Sequence, residues 1–138
     1  METKLVSTHA ALVYTMVMVS AADREMKDVE LSLIGHIVKR LPVFDGYDVD
    51  LLPETTSTCA EILSAEEGLV AALDIVADTV PENLRETAYA LAVEIAAADR
   101  RIEPEEMRLL EMIRHQLGVD RLVAAAIERS ARARFATG

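Results

Sequence analysis

Hydrophobic positions along this 138-residue chain recur with the period of a helix, and no stretch shows the bounded alternation of a half-buried strand. Leu12, Met16 and Val19 share one stripe, joined by Val13 and Val17. Leu91 and Ile95 share another, and Ala88, Ala92 and Ala96 let a neighbouring helix approach closely. Pro104 suits a first helical position, where its missing N–H costs nothing. Glu103 then precedes that helix, and Glu106 falls where a capping-box carboxylate sits. Gly118 ends it, and Asp120 is placed to cap the last helix, RLVAAAIERSARARF. Earlier, LPVFDGYDVDLLP carries Pro42, Gly46 and Pro53 and has the character of an irregular link. Asp50 is expected to cap a helix running to Leu63. Ser64, Ala65, Glu66 and Glu67 are expected to form a capping box opening GLVAALDIVADTV, which Pro81 stops. The prediction is all-α, about seven helices and no sheet.

A shift of 76 residues lays VSAADREMKDVELSLIGHIVKRL (19–41) over IAAADRRIEPEEMRLLEMIRHQL (95–117). Val17/Val93, Ala21/Ala97, Ala22/Ala98, Asp23/Asp99, Arg24/Arg100, Glu30/Glu106, Leu33/Leu109, Ile37/Ile113 and Leu41/Leu117 are identical. Chance can supply matches between Ala- and Leu-rich helices, but it rarely preserves Ala-Ala-Asp-Arg together with a Glu seven residues after the Asp. The pattern predicts two pseudo-symmetric helix–turn–helix repeats, over about 9–41 and 82–117. Linking helices over about 50–80 and a C-terminal helix over about 120–135 complete one domain spanning 1–138.

The repeat decides how the N-terminal run is understood. Leu5 to Ala22 contains no Asp, Glu, Lys or Arg and loosely imitates a signal peptide. Its apolar pattern recurs at 87–98 as TAYALAVEIAAA, with Glu94 in the middle, so it is expected to be a core helix. No transmembrane segment is expected, and the predicted location is cytoplasmic.

The chain has 24 Asp+Glu against 14 Lys+Arg, a formal net charge of −10, no Trp and one cysteine. Cys59 alone cannot form an internal disulfide. The acidic balance argues against nucleic acid as a partner, since phosphate contacts need a basic face. Gly-rich phosphate loops, G-x-S-x-G, C-x-x-C and H-E-x-x-H are all missing, so the chain is expected not to be an enzyme. His9, His36 and His115 do not recur between the repeats, and Glu111 with His115 resembles an ordinary surface pair. Cys59, in a predicted helix with no neighbouring His, is expected to be an inert small hydrophobe.

What remains is the acid pair at each repeated turn: Asp23 with Glu30, and Asp99 with Glu106. An antiparallel helix pair brings each Asp near its Glu, and pseudo-twofold packing would bring the two turns together. Clustered carboxylates and turn carbonyls suit a hard divalent cation. The same residues also serve as local caps: Asp bonds turn backbone, and Glu in a first helical turn favours the dipole. Both readings stand at this level.

The duplicated A-A-D-x-x-[hydrophobic]-x-x-x-E pattern resembles the TerB-like domain of the tellurite-resistance family. The resemblance covers essentially the whole chain and is clearest over 11–44 and 85–135. It implies an all-helical, two-repeat domain with no established catalytic activity, of the kind found as stand-alone bacterial proteins. It also implies a role in metal-related or chemical-stress response, with protein partners, and peripheral association with a membrane surface. Carried over, the suspected metal ligands are Asp23, Glu30, Asp99 and Glu106. One departure stands out: many members have Gly after the Asp, and here both copies have Arg, which disfavours a positive φ. The alternative function is a protein-interaction or self-association domain without metal, its turn acids acting only as caps.

Overall fold

The computed structural model describes residues 6–22, 26–98 and 102–138. Among these residues there are seven α-helices and no strand, as the hydrophobic periodicity predicted. They are α1 (Thr8–Ser20), α2 (Asp28–Arg40), α3 (Leu52–Ser64), α4 (Gly68–Thr79), α5 (Arg85–Ala97), α6 (Pro104–Leu117) and α7 (Arg121–Phe135). Short 3-10 turns at Pro42–Phe44, Val49–Leu51 and Glu82–Leu84 carry the connections.

α1 is apolar on every side, and every residue from Ala11 to Ser20 is buried. A helix with no polar face has to sit inside the fold. α5 is nearly as enclosed, burying Ala88, Tyr89, Leu91, Ala92, Val93, Ile95, Ala96 and Ala97. The two pack against each other at the centre, where the alanines of α5 allow close approach. α3 and α4 lie against α1, while α6 and α7 lie against α5. Each large aliphatic side chain fully buried there, such as Leu12, Met16 or Ile95, contributes about 1.5–3 kcal/mol. The run that imitated an export signal is this central helix. No helix among the described residues is long and apolar enough to cross a membrane.

The helix ends follow local chemistry. The Asp120 carboxylate accepts from the N–H groups of Leu122 and Val123 to open α7, and Gly118, at φ 66°, closes α6. Two expectations need correcting. Asp50 does not cap α3; Asp48 accepts from the Asp50 N–H to open the preceding 3-10 turn, and α3 starts two residues later with Pro53 in its first turn. Ser64 does not open α4 either. It is the last residue of α3, and its hydroxyl donates to the Glu61 carbonyl. The residue before α4 is Glu67, in the left-handed region at φ 59°, and the Gly68 N–H bonds the Ala65 carbonyl. A Cβ on Gly68 would stand 2.2 Å from the Ile62 carbonyl oxygen, so the tightness of this corner, not a capping box, sets where α4 begins.

Candidate functional site

The first interhelical turn leaves the end of α1 through Ala21 and Ala22, whose N–H groups bond the Val17 and Val19 carbonyls. Ser20, the last helical residue, is completely buried, and its hydroxyl donates to Glu30 Oε1 at 2.9 Å. Glu30 is the third residue of α2 and is 1% exposed. The hairpin therefore folds the start of α2 back onto the end of α1 through a buried hydroxyl–carboxylate bond.

The second turn reaches a related arrangement by other means. Glu106 is the third residue of α6 and is also 1% exposed. The position matching Ser20 is Ala96, which has no hydroxyl. Glu106 Oε1 instead accepts from the Glu103 N–H at 3.0 Å, and the Glu103 side chain accepts from the Glu106 N–H, completing the capping box expected from the sequence. Both carboxylates sit at helix N-termini, where the aligned peptide dipoles favour negative charge.

The end of α1 and the start of α6 share one side of the bundle. A hollow of about 610 Å³ is walled by Met18, Ala21 and Ala22 at the end of α1 and by Pro104 and Glu105 at the start of α6. Asp23 and Asp99 lie outside the described residues, as do Arg24 and Arg100. Among the described residues, no three His, Cys, Asp or Glu side chains are grouped to hold a metal ion.

A family model described as "Tellurite resistance protein TerB" matches residues 9–129, from the first turn of α1 well into α7. The chain belongs to the TerB family. It is a tellurite-resistance-related helical module. No curated protein and no solved structure matches it.

Other chemistry-bearing residues of this TerB-family chain have structural work. His9 Nε2 lies 2.9 Å from the Val43 carbonyl oxygen, and its ring packs on Phe44 and Tyr47, pinning the link to α1. His36 is exposed. His115 Nε2 lies 3.3 Å from Arg114 Nη2, a contact the Glu111–His115 spacing does not suggest. Cys59 is fully buried in α3 against the Tyr14 carbonyl, and burial pushes its thiol up to about 12. A thiol held protonated in this way is a poor nucleophile and a poor metal ligand.

Two features of the TerB fold escaped sequence reasoning. Tyr89 is buried in α5, and its hydroxyl donates to Glu128 Oε2 of α7 at 2.5 Å. Burial first, and then that bond, hold the phenol well above its ordinary value. The available signal was a tyrosine in an otherwise apolar helix, since a buried phenol needs a partner. Arg85 opens α5 and spans two helix ends: Nη1 donates to the Leu117 carbonyl of α6 at 3.2 Å, and Nη2 to the Ala77 carbonyl of α4 at 2.8 Å. One guanidinium thereby satisfies carbonyls in two last turns, where the dipole favours a cation.

Proposed function

We propose that this TerB-family chain is a non-enzymatic binding module of a tellurite- and metal-related stress response. In this proposal it holds a divalent cation at its paired turns, with Asp23, Glu30, Asp99 and Glu106 as oxygen ligands. The observation that carries the reading is the near-complete burial of Glu30 and Glu106 at matched helix starts, with the end of α1 and the start of α6 lining a common hollow. Burying a carboxylate is costly unless hydrogen bonds, an opposite charge or a metal compensate. A carboxylate offers about four lone-pair directions, so one group can accept a hydrogen bond and also ligate a cation. Hard cations recruit six or more oxygens, and turn carbonyls can complete such a set. A cation held there would tie the two helical hairpins together, with Arg24 and Arg100 offsetting part of the negative charge.

TerB domains are generally not enzymes, and the proposal follows that pattern. It places the protein in the cytoplasm, acting as one domain with protein partners and touching a membrane at most peripherally. Calorimetric titration with Ca²⁺, Mg²⁺, Mn²⁺ and Zn²⁺ tests the cation. Saturable heat from at least one ion, lost in Asp23→Ala/Asp99→Ala, is the expected result. No heat below millimolar concentration from any of them would remove the cation.

A second reading, in which the turn acids are only caps and the module works by protein contacts alone, draws on the completed Glu103/Glu106 capping box. It expects Asp23→Ala/Asp99→Ala to function as the wild type does.

A further inference from the structure

The charge of this chain is strongly segregated. Between Leu41 and Leu84 there are ten carboxylates and no Lys or Arg, so this stretch carries the entire net charge and the remainder is balanced. On the link and α3, Asp50, Glu54 and Glu61 are all exposed. Their spacing places them along one edge, with the exposed apolar residues Val49 and Leu51 at one end. α7 has the opposite character. Arg121, Arg129 and Arg132 are exposed, and with Ala125 they fall within a sector of about 80° along about 16 Å of helix, bordered by Glu128, whose carboxylate accepts from Tyr89. Leu122 projects beside that stripe and, at 79%, is the most exposed large hydrophobe among the described residues. Arg134 lies outside the stripe, paired with Glu94 of α5.

These two surfaces lie on different helices, with others packed between them. α7 packs on α5, α5 on α1, and α1 on α3, so two central helices separate the basic stripe from the acidic edge. The two stripes correspond in length, since each sets three charges across twelve residues. In an antiparallel register Arg132 and Arg121 fall opposite Asp50 and Glu61, Arg129 falls one residue from the position facing Glu54, and Leu122 lies over Ala60, a small exposed residue.

We propose that a second copy of this chain is the partner for these surfaces, with the basic stripe of α7 docking head-to-tail on the Asp50–Glu61 edge of its neighbour. Such an interface is heterologous: each added copy leaves one edge and one stripe free, so assembly continues rather than stopping at a dimer. Charge complementarity fixes the register, while Leu122 gives the contact an apolar anchor. The net charge of −10 on each copy opposes approach at long range. At physiological salt a Debye length of about 8 Å screens that repulsion more than it weakens the close pairs. The inference does not rest on the cation reading, and a chelator leaves the assembly intact.

Sedimentation velocity over a concentration series tests it. At 0.15 M salt the weight-average mass of the wild type is expected to rise steadily with concentration up to about 1 mM, and 1 M salt to weaken association at least tenfold. Arg121→Glu/Arg129→Glu/Arg132→Glu and Asp50→Arg/Glu54→Arg/Glu61→Arg are each expected to stay monomeric with unchanged helical circular dichroism. An equimolar mixture of the two is expected to associate again, because each offers the surface the other lacks. The milder Arg129→Gln/Arg132→Gln, expected to weaken association at least fivefold, keeps the test decisive if a reversed variant misfolds. A wild type that remains monomeric would overturn the proposal, as would association that survives reversal of either surface. So would wild-type monomers that float with anionic vesicles, since the stripe would then serve a lipid surface.

Discussion

Gly68 and Glu67 show how much a single corner can decide. The α3–α4 connection is so tight that any Cβ at position 68 meets backbone oxygen, and it forces Glu67 into a left-handed conformation that L-residues adopt at a cost of about 1–2 kcal/mol. Gly68→Ala is therefore expected to lower unfolding free energy by about 2–3 kcal/mol in a urea titration. Glu67→Gly is expected to raise it by up to about 1 kcal/mol, because glycine relieves the strain while adding freedom to the unfolded chain. Neither effect is legible in the sequence, where SAEEG fits a capping box equally well; what separates the two is an approach of two helices known only once they are packed. Cys59 gives the residue scale its pH dependence. Burial raises the folded thiol from about 9.0 to about 12, so between these values the unfolded chain releases a proton that the folded chain keeps. The stability this group contributes is complete below pH 9 and disappears as pH climbs toward 12, by about 1.4 kcal/mol per unit. Between pH 8 and 10.5 the wild type is expected to lose about 2 kcal/mol more than Cys59→Ala in denaturant titrations, with Tyr89 cancelling because both proteins carry it.

Helix ends carry the next level. Glu106 closes a capping box with Glu103, so Glu106→Gln, which keeps a carbonyl oxygen to accept from the Glu103 N–H, is expected to fold with a loss below about 1 kcal/mol. Glu106→Ala removes the acceptor and leaves a void, and is expected to cost about 2–3 kcal/mol by the same titration. That contrast makes the amide the proper probe of cation binding, since it discharges the site without dismantling the helix start. Arg85 acts at two other helix ends together. Arg85→Met strands the Ala77 and Leu117 carbonyls and is expected to cost about 2–3 kcal/mol in thermal or urea unfolding. Arg85→Lys is expected to recover only part of that, because one ammonium cannot reproduce a planar fork spanning two carbonyls. Much of this level could be read from the chain: Pro104, Gly118 and Asp120 each carry a local mechanism that needs no tertiary context. Arg85 could not be found that way, since its partners lie 8 and 32 residues distant and nothing in its neighbourhood points to them.

At the scale of the molecule, two nearly all-apolar helices, α1 and α5, form a buried pair around which the others are arranged. Their burial explains why an apolar run near the N-terminus imitates an export signal, and the second run at 87–98 already marked it as core. The all-α class was legible because periodicity is strong and uninterrupted. The candidate site was legible only as residue types: the sequence marks Glu30 and Glu106 as recurring, but it does not show that both are buried, nor that Ser20 holds one while the Glu103 backbone holds the other. The shared hollow at the ends of α1 and α6 depends on how the hairpins cross, which spacing within either repeat does not encode. The same turns carry the central claim, that this TerB-family chain holds a divalent cation between its paired hairpins. The most direct measurement is an anomalous difference map from crystals grown with Mn²⁺, for the wild type and for Glu30→Gln/Glu106→Gln. The account predicts a peak among Asp23, Glu30, Asp99 and Glu106 in the wild type and none in the variant. A wild-type map without a peak at the turns, under saturating Mn²⁺, would contradict it.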